Sequence, residues 1–336
     1  MKDFTELVDL ASERLGGAVL HANDDFFAPK ENLLKASAPV FVEGKYTDRG
    51  KWMDGWESRR RRTPGFDWCV VRLGLAGRVR GVVVDTAFFR GNYPEQCSLE
   101  ACAVEGQPGV ERLLDESVTW EEILPVSQLR GDSQNPFAVT HEGRFTHLRF
   151  KIYPDGGVAR LRVYGEVLPD WGRLRRRGGE IDLAAIEHGG LVLAASDMFF
   201  GHRHNLIMPG RAADMSDGWE TKRRRGPGHD WAVVKLGARA WAIRRVEVDT
   251  AHFKGNYPDA CSLEACELPA GAGAETDWSA CEWREVLPRT KLEAHTRHLF
   301  EDEIAGAGAA THLRFNIYPD GGVSRLRVFC ELGDGE

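Results

Sequence analysis

The sequence predicts an all-β chain: two homologous jelly-roll β-sandwich domains in tandem. Three observations carry that expectation. Long blocks of sequence are written twice, the segments inside each copy are short strands bounded by turn residues, and helical periodicity is almost absent.

The repeat is explicit. DGWESRRRRTPGFDWCVV from Asp54 matches DGWETKRRRGPGHDWAVV from Asp217 at 13 of 18 positions. DTAFFRGNYPEQCSLEAC from Asp85 matches DTAHFKGNYPDACSLEAC from Asp249 at 14 of 18. THLRFKIYPDGGVARLRV from Thr146 matches THLRFNIYPDGGVSRLRV from Thr311 at 16 of 18. The offsets are 163, 164 and 165, whereas the repeat starts at Asp9 and Asp182 are 173 apart. The first copy therefore carries a ten-residue excess between Phe27 and Asp54. Units of this length are domains rather than solenoid repeats. The expected division is 1–168, a linker at 169–179, and 180–336.

Within each copy the elements follow in order. Phe4–Leu15 and Ile181–Glu187 read as two brief helices. WCVVRLG, RVRGVVVDTAFF, SLEACAV, EEILPV, THLRFKIYP and ARLRVYGEV read as strands, rich in β-branched and aromatic residues. In the last, Leu161, Val163 and Gly165 face one way and Arg162, Tyr164 and Glu166 the other. Gly91-Asn92-Tyr93-Pro94, its copy Gly255–Pro258, and both YPDGG segments are turns. Asp155 and Asp320 are expected to hydrogen-bond their own turns. Cys97 and Cys102 lie five apart, on opposite faces of a strand, as core or edge residues. The connector Pro169–Gly179 is read as exposed, and its arginines Arg173–Arg177 as solvated surface rather than a nucleic-acid patch.

Composition narrows the function. Lys plus Arg number 44 against 51 Asp plus Glu, a net charge of −7, which argues against nucleic-acid or membrane-surface binding. No apolar stretch is long enough for a spanning helix, and the first residues do not read as a secretory leader. Seven cysteines without a CxxC pair are expected as reduced thiols in a cytoplasmic protein.

The repeated blocks concentrate chemistry. Trp219, Glu220, Arg223 and Arg225, with Arg60 in the first copy, put aromatic, acidic and guanidinium groups side by side. An Arg fork pairs bidentately with a carboxylate, although an ion-pair network explains the same residues. The GNYP turns can aim Asn92, Tyr93, Asn256 and Tyr257 into a common cleft. Differences between copies are also telling: Phe66 becomes His229, Phe88 becomes His252 and Arg90 becomes Lys254. Imidazole carries protons near neutral pH and phenyl does not. This favours the second copy for proton transfer, with His252, Lys254, His229, Glu220 and Asp230 as catalytic candidates. His202 and His204, two apart in GHRHN, are candidate metal ligands together with His229 or His252 if that segment is extended.

DGWE-[ST]-[RK]-RRR-x-PG-x-DW, VDT-x-F-[RK]-GNYP and THLRF-x-IYPDGG-x-RLRV, each present twice, resemble the allantoicase (allantoate amidinohydrolase) family over roughly Asp9 to Glu331. The starts ANDDFFAPKENLL and SDMFFGHRHNL fit the same family. One departure is Phe66, where the family's PG-x-DW motif carries His. The resemblance implies tandem jelly rolls, homo-oligomers, a possible divalent metal such as Mn²⁺, and hydrolysis of allantoate to ureidoglycolate and urea in purine degradation. Its substrate is a small molecule whose carboxylate calls for Arg or Lys and whose ureido N–H groups call for Asp, Glu or carbonyl acceptors. A looser likeness to galactose-binding-like jelly rolls supplies the alternative, a tandem carbohydrate- or small-ligand-binding module without catalysis.

Overall fold

In the computed structural model the described residues are 3–332 apart from Ala270, Ala274 and Ala307. The outermost residues of the expected domain bounds, 1–2 and 333–336, lie outside them. The chain divides into two compact units, Met1–Leu168 and Pro169–Glu336. Each is an antiparallel β-structure of the same build.

In the first unit the strands are β1 (Val8–Asp9), β2 (Ala18–Ala22), a small hairpin β3 (Tyr46–Thr47) and β4 (Gly50–Lys51), and β5 (Trp56–Glu57). They continue with β6 (Asp67–Asp85), β7 (Gln96–Cys102), β8 (Glu121–Gln128), β9 (Gln134–Ala138), β10 (Phe145–Tyr153), β11 (Gly157–Val158) and β12 (Arg160–Val167). The second unit has β13 (Ile181–Asp182), β14 (Leu191–Ala195), β15 (Trp219–Glu220), β16 (Asp230–Asp249), β17 (Ala260–Cys266), β18 (Arg284–Lys291), β19 (Arg297–Phe300), β20 (Ala310–Tyr318), β21 (Gly322–Val323) and β22 (Arg325–Leu332).

The long strand organises each jelly roll. The first half of β6 lies between β2 and β10, and its second half between β9 and β12. In the second unit β16 does the same between β14 and β20, then β19 and β22. Strand alternation separates two environments. In β10, Leu148, Phe150 and Ile152 are fully buried in the core, while His147, Arg149, Lys151 and Tyr153 face the other way. Leu161 and Val163 of β12 are likewise buried. Cys97 opposes core-facing Ile152, and Cys102 joins a second cluster with Val70 and Leu113 on the other face. All seven cysteines are free, and burial pushes Cys97 and Cys261 up to about 12, so these thiols are inert.

One sequence expectation is corrected here. The segments read as helices, Phe4–Leu15 and Ile181–Glu187, are edge strands flanked by single 3₁₀ turns. Asp9 and Asp182 decide this. Their carboxylates accept the backbone N–H of Val163 and Val328 and tie each segment to its neighbouring strand. Gly16 and Gly189, both at φ 90°, then end the 3₁₀ turns. In the connector, Trp171–Arg177 forms a short helix that Asp170 caps through the Arg173 N–H, and its arginines Arg173, Arg175, Arg176 and Arg177 are exposed.

Candidate active site

Short bridges bring the three repeated blocks together. In the second unit β15 pairs with β21, placing Glu220 opposite Gly322 and Trp219 opposite Val323. The Gly322 N–H then donates to the Asn256 carbonyl at 2.8 Å. This junction demands glycine. A Cβ on Gly322 would lie 1.9 Å from the Phe253 ring, and one on Gly321 (φ 135°) would lie 2.6 Å from the Asn256 carbonyl. DGWE, GNYP and YPDGG thus meet at one place.

A cleft of about 520 Å³ opens there, with Phe200, Glu220, Arg223, Arg224, Asn256, Tyr257, Asp259 and Asp320 in its lining. The Asn256 side-chain amide donates to Glu220 Oε1 at 2.5 Å. Asp320 accepts the Arg224 backbone N–H at 2.8 Å, and so does Asp155 from Arg61 in the first unit. These aspartates fasten the arginine block rather than their own turns, which corrects the sequence expectation. The Arg224 guanidinium pairs with Asp230, which is almost fully buried and also accepts from Ser196 Oγ at 2.9 Å. Arg223 is exposed on the cleft wall and has no ion pair among the described residues. One guanidinium is therefore structural and its neighbour is available for an anion.

The other expected site residues lie elsewhere. Trp219 is wholly buried, donates from Nε1 to the Asp197 carbonyl at 2.9 Å and packs on Phe315, so it offers no face to a ligand. Arg225 and Lys254 are exposed and outside the cleft lining. His252 is also outside it. Its backbone N–H donates to His295 Nδ1 at 2.7 Å, and its ring Nε2 donates to the Ala212 carbonyl at 3.0 Å. Phe88 has the same left-handed backbone, φ 69° against 71°, but packs in a tilted arrangement against Phe41 from the extra segment of the first unit. The Phe-to-His difference thus follows the loop that each ring meets. His229 packs in a tilted arrangement against Tyr318, and its Nε2 donates to Asn316 Oδ1 at 3.2 Å.

The extended geometry expected for GHRHN is also corrected. His202 to Ile207 is a capped 3₁₀ turn and not a strand. His204 Nε2 donates to the Val192 carbonyl at 3.2 Å, His202 Nδ1 accepts the His204 N–H, and burial pushes His204 down to about 3. Among the described residues no three His, Cys, Asp or Glu side chains come together as a metal site. In the cleft the Asp259 carboxylate is held by Lys291 Nζ at 2.5 Å, and those of Glu220 and Asp320 by the amides above. Carboxylate oxygens are donors of the kind Mn²⁺ takes, but among the described residues no three of them converge on one point.

Sequence reasoning missed Arg224, Asp259, Asp320 and Phe200 as cleft residues. The signal for Asp259 was present: an acid follows NYP in both copies, as Glu95 and Asp259.

In the first unit Arg60 is exposed, Asn92 donates to Glu57 Oε1 at 2.7 Å, and Tyr93 packs beside Phe89 and Met53.

A family description, Allantoicase repeat, matches residues 8–168 and again 181–333. The chain belongs to the allantoicase family. It is 50% identical to an allantoicase of Dictyostelium discoideum, over 99% of this chain and 89% of that protein. It is also 50% identical to a probable allantoicase of Burkholderia mallei, over 97% and 94%. The crystal structure of allantoicase from Saccharomyces cerevisiae superposes with a TM-score of 0.81 at 38% identity, covering 96% of this chain and 93% of that one. The motifs that all converge on the cleft are thus those of an allantoicase-family repeat. No helix among the described residues is long and apolar enough to cross a membrane.

Proposed function

We propose that the Glu220–Asn256 cleft is where this allantoicase-family chain carries out the hydrolysis of allantoate to ureidoglycolate and urea. The supporting observation is the convergence of the three twice-written blocks on one cleft that holds an amide-held glutamate and an exposed arginine without an ion pair among the described residues.

Allantoate is a central C–H bearing one carboxylate and two ureido groups. Arg223 takes the carboxylate as a forked partner. Releasing urea breaks the bond from the central carbon to one ureido nitrogen while the other nitrogen forms a C=N bond. One proton must leave the nitrogen that stays and reach the nitrogen that departs. A carboxylate lying between them carries it, and Asn256 holds Glu220 for that task. Water then adds to the imine carbon, and its proton returns through the same carboxylate to nitrogen. The sum is allantoate plus water giving ureidoglycolate plus urea. Proton carriers of this kind contribute about 10²–10⁴-fold each. Asp259 and the Tyr257 hydroxyl offer hydrogen bonds to ureido groups. His252, Lys254 and His229 take no part.

The chain works as a cytoplasmic homo-oligomer in this reading. Free, mostly buried cysteines support a reducing compartment, and the exposed rings of Phe199 and Phe200 support a covering partner copy. Light scattering is expected to give a mass above the 37.5 kDa of one chain.

Because the glutamate is present in both units, the test changes both. The Glu57→Gln/Glu220→Gln protein is expected to lose at least about 100-fold in kcat for urea release while its melting temperature stays close to the parent's. Undiminished kcat overturns the assignment.

A further inference from the structure

The asymmetry that drew attention to the second copy dissolves at the level of the cleft. We propose that the first unit holds a second, complete site for the same class of ligand, a small ureido-bearing carboxylate, centred on Glu57, Asn92 and Arg60. This rests on the reading of the Glu220 cleft given above.

The two units repeat the fastening of the site bond for bond. Asn92 holds Glu57 at 2.7 Å as Asn256 holds Glu220 at 2.5 Å. The Arg61 and Arg224 backbone N–H groups both donate to the turn aspartate at 2.8 Å. Gly157 N–H donates to the Asn92 carbonyl at 2.7 Å, and Gly322 N–H to that of Asn256 at 2.8 Å. Arg61 pairs with Asp67 as Arg224 pairs with Asp230. In both units this leaves the preceding arginine, Arg60 or Arg223, exposed and without an ion pair among the described residues. The space over the turn is open in both: a Cβ on Gly91 or on Gly255 would meet nothing within 4 Å. Arg223, Glu220 and Asn256 therefore each have a counterpart in the same setting, and Tyr257 has one in Tyr93; at Asp259, which Lys291 holds, the first copy carries Glu95 instead. None of the pairs Phe66/His229, Phe88/His252 and Arg90/Lys254 belongs to that set. Burial pushes the Glu57 carboxyl up, which suits a proton carrier.

One difference surrounds the duplicate. Phe27, at the position of Phe200, touches the β3–β4 hairpin, where a Cβ on Gly50 would stand 3.8 Å from its ring. Phe200 is 62% exposed and Phe27 36%. The first site is thus flanked by the extra segment, and its affinity for ligand is expected to differ from that of the second.

The test uses the full chain with three variants, Glu57→Gln, Glu220→Gln and the double, and follows urea release from allantoate. Two independent sites predict that each single variant keeps between about a quarter and three quarters of the parental kcat, and that the double loses at least about 100-fold. Full kcat in one single variant with a 100-fold loss in the other overturns the second site. So does a 100-fold loss in both singles, which would mean that the two glutamates serve one centre. An active double variant is a different failure, since it removes the cleft assignment itself. Arg60→Ala and Arg223→Ala form a second pair at exposed positions whose loss leaves both folds intact. Each is expected to make substrate saturation biphasic, with one phase at the parental KM; a single phase with a uniformly raised KM in either overturns the proposal. Isothermal titration of the double Gln variant with allantoate should give two ligands per chain, and one per chain contradicts it.

Discussion

Changing His252 to Phe separates a proton carrier from a loop fastener. The His252 ring donates one hydrogen bond, Nε2 to the Ala212 carbonyl at 3.0 Å, and does not line the cleft. The backbone there is left-handed at φ 71°, and Phe88 already occupies the equivalent turn at 69°, so phenylalanine fits without new strain. What is lost is one hydrogen bond, with the Ala212 carbonyl left without that partner. Such a loss costs about 1 kcal/mol, which for a domain of this size lowers the melting temperature by about 2–4 °C. Calorimetry and steady-state urea release on His252→Phe are therefore expected to show that small drop in Tm and a kcat within about twofold of the parent. A general acid or base would behave in the opposite way, with kcat falling about 100-fold or more and Tm unmoved. That outcome would refute the placement of His252 outside the chemistry.

Other consequences are equally open to measurement. Arg160 is 1% exposed and donates to the carbonyls of Ser37, Asp54 and Ala159 and to the Asp54 carboxylate; Arg160→Met leaves these acceptors buried, should cost about 3–5 kcal/mol, and is contradicted by an unchanged denaturation midpoint. Burial pushes His147 and His312 down to about 4 and His204 to about 3. Unfolded, these rings take protons near 6.5, so as pH falls below that value the unfolded state binds protons that the folded state refuses, and stability is lost progressively toward pH 4. Melting temperature should therefore rise with pH between 4 and 6.5, and a flat profile there would count against the buried neutral imidazoles. Since the cleft carboxylates are held by amide and ammonium groups, dialysis against EDTA should leave urea release within about twofold; a loss restored by added Mn²⁺ would contradict this.

Much of this was legible in the sequence, for identifiable reasons. The blocks are long enough to reveal the repeat, and period-two alternation in ARLRVYGEV and THLRFKIYP marks which side chains enter the core. The convergence of DGWE, GNYP and YPDGG depends on two-residue bridges between segments about a hundred positions apart, and no local pattern encodes such pairing. Single residues misled where a tertiary partner set their role. His252 reads as a catalytic gain until the Ala212 carbonyl comes into view, and Asp320 reads as a turn residue until it meets the Arg224 N–H. Trp219 sits beside Glu220 in sequence, but strand alternation sends it into the core and the glutamate into the cleft. Within the arginine block no local pattern says which guanidinium is free. Asp67 and Asp230 decide that by claiming Arg61 and Arg224.

The most direct test of the cleft assignment is a crystal structure of the Glu57→Gln/Glu220→Gln protein soaked with allantoate. The ligand should lie in the cleft with its carboxylate on the Arg223 guanidinium and its ureido groups beside position 220 and Asn256, with an equivalent molecule at Arg60 and Asn92. Allantoate bound instead against His252 and Ala212, or beside His229 and Asn316, with both clefts empty, would contradict it.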